Sequence, residues 1–117
     1  MRLPKLIVVV PWMRFAAGMA IFPFILLADK QYRGDKHLLN HELIHLQQQI
    51  ELLIIPFYLL YLLHYGINLV RFRDHHRAYL EIFFEREAYQ NEHDLSYLGK
   101  RRFWRSFRYL FKSAAQK

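Results

Sequence analysis

A chain of 117 residues has room for one domain and little beyond a single core. It contains no cysteine, which excludes disulfides and thiolate metal sites, so any bound metal must be held by His, Asp or Glu. The net charge of +7 comes entirely from the end of the chain, where residues 95–117 carry seven basic side chains and no acid. Hydrophobic residues make up 54% of the chain, enough to predict a surface that meets a membrane or a partner in addition to a core.

The N-terminal stretch has a charged start (Arg2, Lys5), but its apolar run is short and is broken by Pro11 and Arg14. It does not read as a cleavable signal peptide, and we expect it to be retained. The β-branched run at residues 6–10 predicts a short strand or a membrane-facing stretch. Over residues 16–28, Gly18 and Pro23 argue against an uninterrupted helix, and Phe24–Leu27 reads as a strand. Residues 29–35 read as a loop.

Asp35 is a good N-cap for a helix that continues to about residue 53. Leu39, Leu43, Leu46 and Ile50 give this helix a buried face, and His37, His41 and His45 fall on a neighbouring stripe. Residues 52–70 carry no formal charge and are just long enough to cross a bilayer. Pro56, Gly66 and the polar-tipped stripe Tyr58, Tyr61, Tyr65 and Asn68 favour instead a buried or membrane-interfacial helix. A further helix is predicted over residues 74–98, with Gly99 as its C-cap. Beyond it Arg101, Arg102, Trp104, Arg105, Phe107, Arg108 and Phe111 form an amphipathic tail suited to anionic lipid or to a membrane-protein partner. Nucleic acid is disfavoured, because the aromatics segregate onto one face and do not form a stacking platform. The expected organisation is a domain over residues 1–99, including the apolar segment 52–70, followed by a basic aromatic tail over 100–117.

The chemistry concentrates in His41-Glu42-Leu43-Ile44-His45. One helical turn separates the two histidines, so their ring nitrogens can meet at one ion, at about 2.0–2.1 Å for zinc. Glu42 sits on the rim of the same face. There it can take a proton from a water activated by the ion and pass it to a leaving amine. A third protein ligand is still required. No histidine follows soon after His45, whereas Glu81, Glu85, Ala88 and Glu92 recur at four, three and four residues and would line one stripe of a helix.

The pair of motifs, His-Glu-Leu-Ile-His and Glu85-Arg86-Glu87-Ala88, resembles the gluzincin metallopeptidases, the thermolysin-like group, and in particular the compact bacterial minigluzincins. That resemblance implies a mainly α (α+β) zincin-like fold, one zinc ion, peptide or protein substrates, Glu85 as third ligand and Glu42 as general base. It also implies an edge strand beside the active-site helix, for which Phe24–Leu27 is the candidate. Many gluzincins carry Asp directly after the small residue, and here that place holds Tyr89. Glu81 or Glu92 is then expected to supply the missing support or to be the ligand itself. The function expected is a membrane-associated zinc metallopeptidase. The alternative is a non-catalytic adaptor subunit of a membrane-associated complex, with zinc as a structural staple.

Overall fold

The computed structural model describes residues 6–14 and 16–111; Arg2, Lys5, Lys112 and Lys117 lie outside the described residues. Three short strands come first: β1 (Leu6–Val9), β2 (Gly18–Ile21) and β3 (Phe24–Leu27). They form a sheet of order β1-β3-β2, with β1 parallel and β2 antiparallel to β3. β3 is therefore the central strand and not the edge strand expected from its apolar pattern. The edge next to the first helix is β2, which pairs Gly18 with Leu27 and Ile21 with Phe24. A period of two turns Ile25 and Leu27 to the same face, where both are fully buried against Ala20 and Leu46.

After a 3-10 segment (Lys30–Gly34), helix α1 (Lys36–Glu51) begins where Asp35 accepts from the N–H of Leu38 at 3.0 Å. It ends abruptly. Leu53 and Ile54 both have positive φ, and helix α2 (Ile55–Phe72) leaves at 113° to α1 with Pro56 in its first turn. Positive φ strains a β-branched residue such as Ile54, so the turn is held by its surroundings and not by local preference. No single helix among the described residues is long and apolar enough to cross a membrane.

The helix predicted over residues 74–98 is broken into pieces. Helix α3 (His75–Leu80) is capped by Asp74, whose side chain accepts from Arg77 N–H at 2.8 Å. Ile82 is extended, helix α4 (Phe83–Asn91) follows, and a turn leads to the short helix α5 (Tyr97–Lys100). Gly99 lies inside α5 without positive φ, so it is not the left-handed cap expected. The break at Ile82 lets Ile82, Phe83 and Phe84 all enter the core with Phe57 and Tyr109, which a continuous helix would splay around its circumference.

Residues 101–111 pack onto the same core. The 3-10 segment Arg105–Phe111 buries Ser106 and Tyr109, and the Phe107 ring lies 5.4 Å from that of Phe83. Arg101, expected on an outward basic face, is instead enclosed between Glu51 and Glu87 and donates to both. Arg102, Trp104, Arg108 and Phe111 are exposed, and Arg105 is half-buried. The result is a mostly helical domain with a small three-stranded sheet at one side.

Candidate metal centre

α1 and α4 face one another across a close contact. Ala88, fully buried on α4, packs with Ile44 of α1 and Tyr97, and its small side chain lets the two helix axes come near. That approach places Glu85 opposite His41 and His45. The three ligand atoms converge: Nε2 of His41 and Nε2 of His45 are 3.2 Å apart, and Oε1 of Glu85 lies 3.2 and 3.1 Å from them. In a tetrahedral site with bonds of about 2.0–2.1 Å, neighbouring ligand atoms sit about 3.3 Å apart. The observed triangle needs to open by only a few tenths of an ångström. These three buried residues could hold a metal ion.

The outward ring nitrogens decide the tautomers. Nδ1 of His41 is 2.8 Å from Oε1 of Glu92, and Nδ1 of His45 is 2.7 Å from Oε1 of Gln48. Both partners are acceptors, so each Nδ1 carries the hydrogen and each Nε2 turns a lone pair inward when the ring is neutral. Gln48 is itself oriented, since its amide donates to Glu87 at 2.9 Å and to the Phe84 carbonyl at 3.1 Å. Tyr61 of α2 donates to Oε2 of Glu85 at 2.5 Å, which occupies that oxygen and leaves Oε1 for the centre. Hydrogen-bonded partners of this kind, Gln48 buried and Glu92 and Tyr61 half-buried, are what orient the ligands of a metal site.

The electrostatics ask for positive charge at the same point. Burial alone would lower the His41 imidazole, but hydrogen bonds to Glu85 and Glu92, with the charges of Glu85 and Glu42, push it up to about 10. Burial opposes ionisation of Glu85 too, yet the two histidines hold its carboxyl well below the usual range. Glu42 differs: burial dominates and raises it, against the pull of His45 and His41. Three carboxylates around two imidazoles favour positive charge there, and the cluster could take it up as protons or as a metal ion.

Glu42 lies under the N-terminal end of β2. A Cβ added to Gly18 would stand 3.2 Å from Oε2 of Glu42 and 3.3 Å from Leu38, so the glycine leaves the carboxylate its place. Glu81, weighed as a third ligand, is not at the centre; the break at Ile82 turns it to Arg86, which it meets at 3.0 Å. Tyr89 packs its ring edge-on to His41 at 4.5 Å, and its hydroxyl is 2.9 Å from that of Tyr79. It makes no carboxylate-like contact with a ligand; Glu92, one turn on from Ala88, does. A metallopeptidase of the kind the sequence resembles would also need a Tyr or His to stabilise the oxyanion, but Tyr97 donates to Glu87, His75 pairs with Tyr65, and His76 and His93 are exposed. His37 meets the Glu92 carbonyl and the His93 ring, and His64 accepts from Phe83 N–H, so neither is at the centre.

Gln48, Tyr61 and Gly18 were not singled out for the site from the sequence. Gln48 carried a signal, being one turn after His45 on the same helix. Tyr61 belonged to the recognised tyrosine stripe, with nothing to tie it to Glu85. Comparison with family profiles, with characterised proteins and with solved structures finds no match for this chain.

Proposed function

We propose that this chain is a membrane-associated zinc metallopeptidase in which His41, His45 and Glu85 hold the ion and Glu42 is the general base. The observation that carries the reading is the convergence of two inward Nε2 lone pairs and one carboxylate oxygen, beside a fourth side chain, Glu42, that is committed to none of them. A donor set of two imidazoles and one carboxylate with tetrahedral spacing suits zinc and leaves a fourth position open. Zinc held there supplies Lewis acidity towards water and towards a carbonyl oxygen.

The chain's own residues do the rest. Glu42 takes a proton from the attacking water and delivers it to the departing amine as the C–N bond breaks, so the carboxylate ends as it began. Its burial favours the protonated form and so makes its carboxylate the stronger base. Tyr61 holds Glu85 to a single ligating oxygen, while Glu92 and Gln48 keep the imidazoles aimed. The alternating ladder of β2 turns the backbone groups of Gly18 outward, beside Glu42, where an extended peptide would meet them.

One observation favours the adaptor alternative: His41, His45, Glu85 and Glu42 are each 6% exposed or less, as a structural staple would be. The two readings separate on one pair of proteins. Wild type should carry one zinc per chain and cleave unstructured peptides, and Glu42→Gln should keep the zinc and lose the cleavage. Zinc in both with cleavage in neither would leave the staple, and a folded wild type without metal would overturn both readings.

A further inference from the structure

Helix α2 is amphipathic in the reverse sense. Its hydrogen-bonding side chains face the domain: Tyr58 donates to the Ala20 carbonyl at 3.2 Å, Tyr61 to Glu85 at 2.5 Å and Asn68 to the Ala78 carbonyl at 3.2 Å, while Tyr65 pairs with His75. The opposite face carries Ile55, Leu59, Leu62, Leu63, Ile67 and Val70, each between 53% and 79% exposed. Steps of four, three, one, four and three residues keep these six on one side, and an open apolar groove runs over Gly66 between them. A face of this kind offers water no hydrogen bond and is not left bare on a soluble surface.

We infer that this face of α2 lies in the headgroup boundary of a bilayer containing anionic lipid. Charge selects the occupant. No acid occurs from residue 52 to residue 73, whereas Arg71, Arg73 and Arg77 are exposed at the C-terminal end of the helix, with Arg71 and Arg77 both over the Phe72 ring. At the other end, exposed Trp104 donates its indole N–H to the Glu51 carbonyl next to the outward Leu53. Aromatic and arginine side chains flanking an apolar stripe match the level of the headgroups. A second copy of the chain would bring arginine to an apolar face that has no acid to meet it, and the excess of +7 opposes such pairing. The helix lies in the plane and does not cross, since its inner face is tied to the domain by hydrogen bonds. The inference rests on the membrane half of the proposed function and is independent of the metal.

The test uses the full chain with vesicles of phosphatidylcholine, alone or mixed with phosphatidylglycerol. Wild type should co-sediment with the mixed vesicles, less so at high salt, and Leu59→Gln/Leu63→Gln should lose roughly tenfold or more in partitioning with its circular dichroism and melting unchanged. Arg71→Gln/Arg73→Gln should lose roughly tenfold on the mixed vesicles and little on neutral ones. Because the chain has no cysteine, Leu63→Cys carries a single environment-sensitive dye, which should shift to the blue on vesicles, whereas dye on Lys36→Cys should not. Wild type that binds vesicles while the double-leucine variant binds equally well would overturn the assignment to α2 and move it to the Trp104 end. Wild type that never binds vesicles would overturn membrane association itself. A lipid-free dimer that the same variant dissolves would give the face to a second copy.

Discussion

His41 gives the hydrogen of Nδ1 to the carboxylate of Glu92, 2.8 Å away, and so presents Nε2 to Glu85 and His45. The carboxylate arrives from the residue one turn after Ala88, where the sequence places Tyr89 in the position next to Ala88. We expect Glu92→Ala to weaken zinc binding by about 10–100-fold, with Glu92→Gln, which keeps an acceptor, losing less. Competition against a chelator of known affinity measures both.

Glu81 and Glu85 are four residues apart but belong to different elements, and their substitutions should separate. Glu85→Ala should abolish stoichiometric zinc, since two ligands hold it weakly. Glu81→Ala should retain zinc but lose about 3 kcal/mol of stability, because it leaves the buried Arg86 guanidinium with the Tyr109 and Leu110 carbonyls and without the carboxylate it faces. Metal analysis and denaturant unfolding of the two proteins would show the inverse pattern if Glu81 were the ligand.

Deleting residues 100–117 removes Arg101, Trp104 and Ser106 from Glu51 and Glu87. Glu87 accepts from Arg101, Ser106 and Tyr97, and Glu51 from Arg101 and the backbone of Trp104. Two buried carboxylates would lose their cation, and we expect the truncated chain to fail to fold. Proteolysis resistance and near-ultraviolet circular dichroism check this, and a truncated protein with a native spectrum would contradict it.

His64 accepts the N–H of Phe83, the first residue of α4, at 3.1 Å through an unprotonated Nδ1. Burial, and then the charges of Arg86 and Arg71, lower its pKa in the folded chain. The unfolded chain therefore takes up the proton first as pH falls. The stabilisation is complete above the unfolded value of about 6.5 and is lost as pH drops from there towards the depressed folded value. His64→Gln should remove this part of the acid dependence, and His64→Ala should cost about 1 kcal/mol at pH 8. Urea midpoints across pH give both numbers.

Gly18→Ala places a methyl group 3.2 Å from Oε2 of Glu42 and 3.3 Å from Leu38. The flexible end of the glutamate must give way, so we expect zinc content and stability near wild type with peptide hydrolysis lowered roughly tenfold. Equal activity in the two proteins would remove Glu42 geometry from the mechanism.

What the sequence made legible was what depends on short spacing. Asp35 caps α1 as expected, and the one-turn separation of His41 and His45 survives any packing that keeps the helix. The buried face expected from the apolar stripe is only partly there: Leu46 is fully buried, Leu39, Leu43 and Ile50 are half-buried, and Asn40, Ile44, Gln48 and Gln49 turn inward with the histidines. Glu85 was reached through a motif and not through periodicity. The stripe that joined it to Glu81 required a continuous helix, and no Gly or Pro at residues 80–83 marks the break. The break answers to distant groups, namely the core that takes Ile82 and the His64 ring that satisfies Phe83. Arg101 was expected to meet anionic lipid or a partner with the rest of the basic tail, and it was misplaced for the same reason. Its partners, Glu51 and Glu87, lie 50 and 14 residues away, and no local pattern announces that both are buried. The edge position of β2 was hidden because Phe24–Leu27 was the one strand read in residues 16–28, and nothing in Gly18–Ile21 marked a second strand paired beside it.

The reversed polarity of α2 also changes how a mutational survey of this chain will read. In a screen for soluble yield, Tyr61 and Asn68 will behave like core positions, intolerant even of losing one hydroxyl or amide, while Leu59, Leu62 and Leu63 will accept lysine or glutamine and rise in expression. Selected for yield alone, the protein would drift towards a well-behaved variant whose helix has exchanged its outward leucines for polar residues. Only a selection that requires a lipid surface would return them.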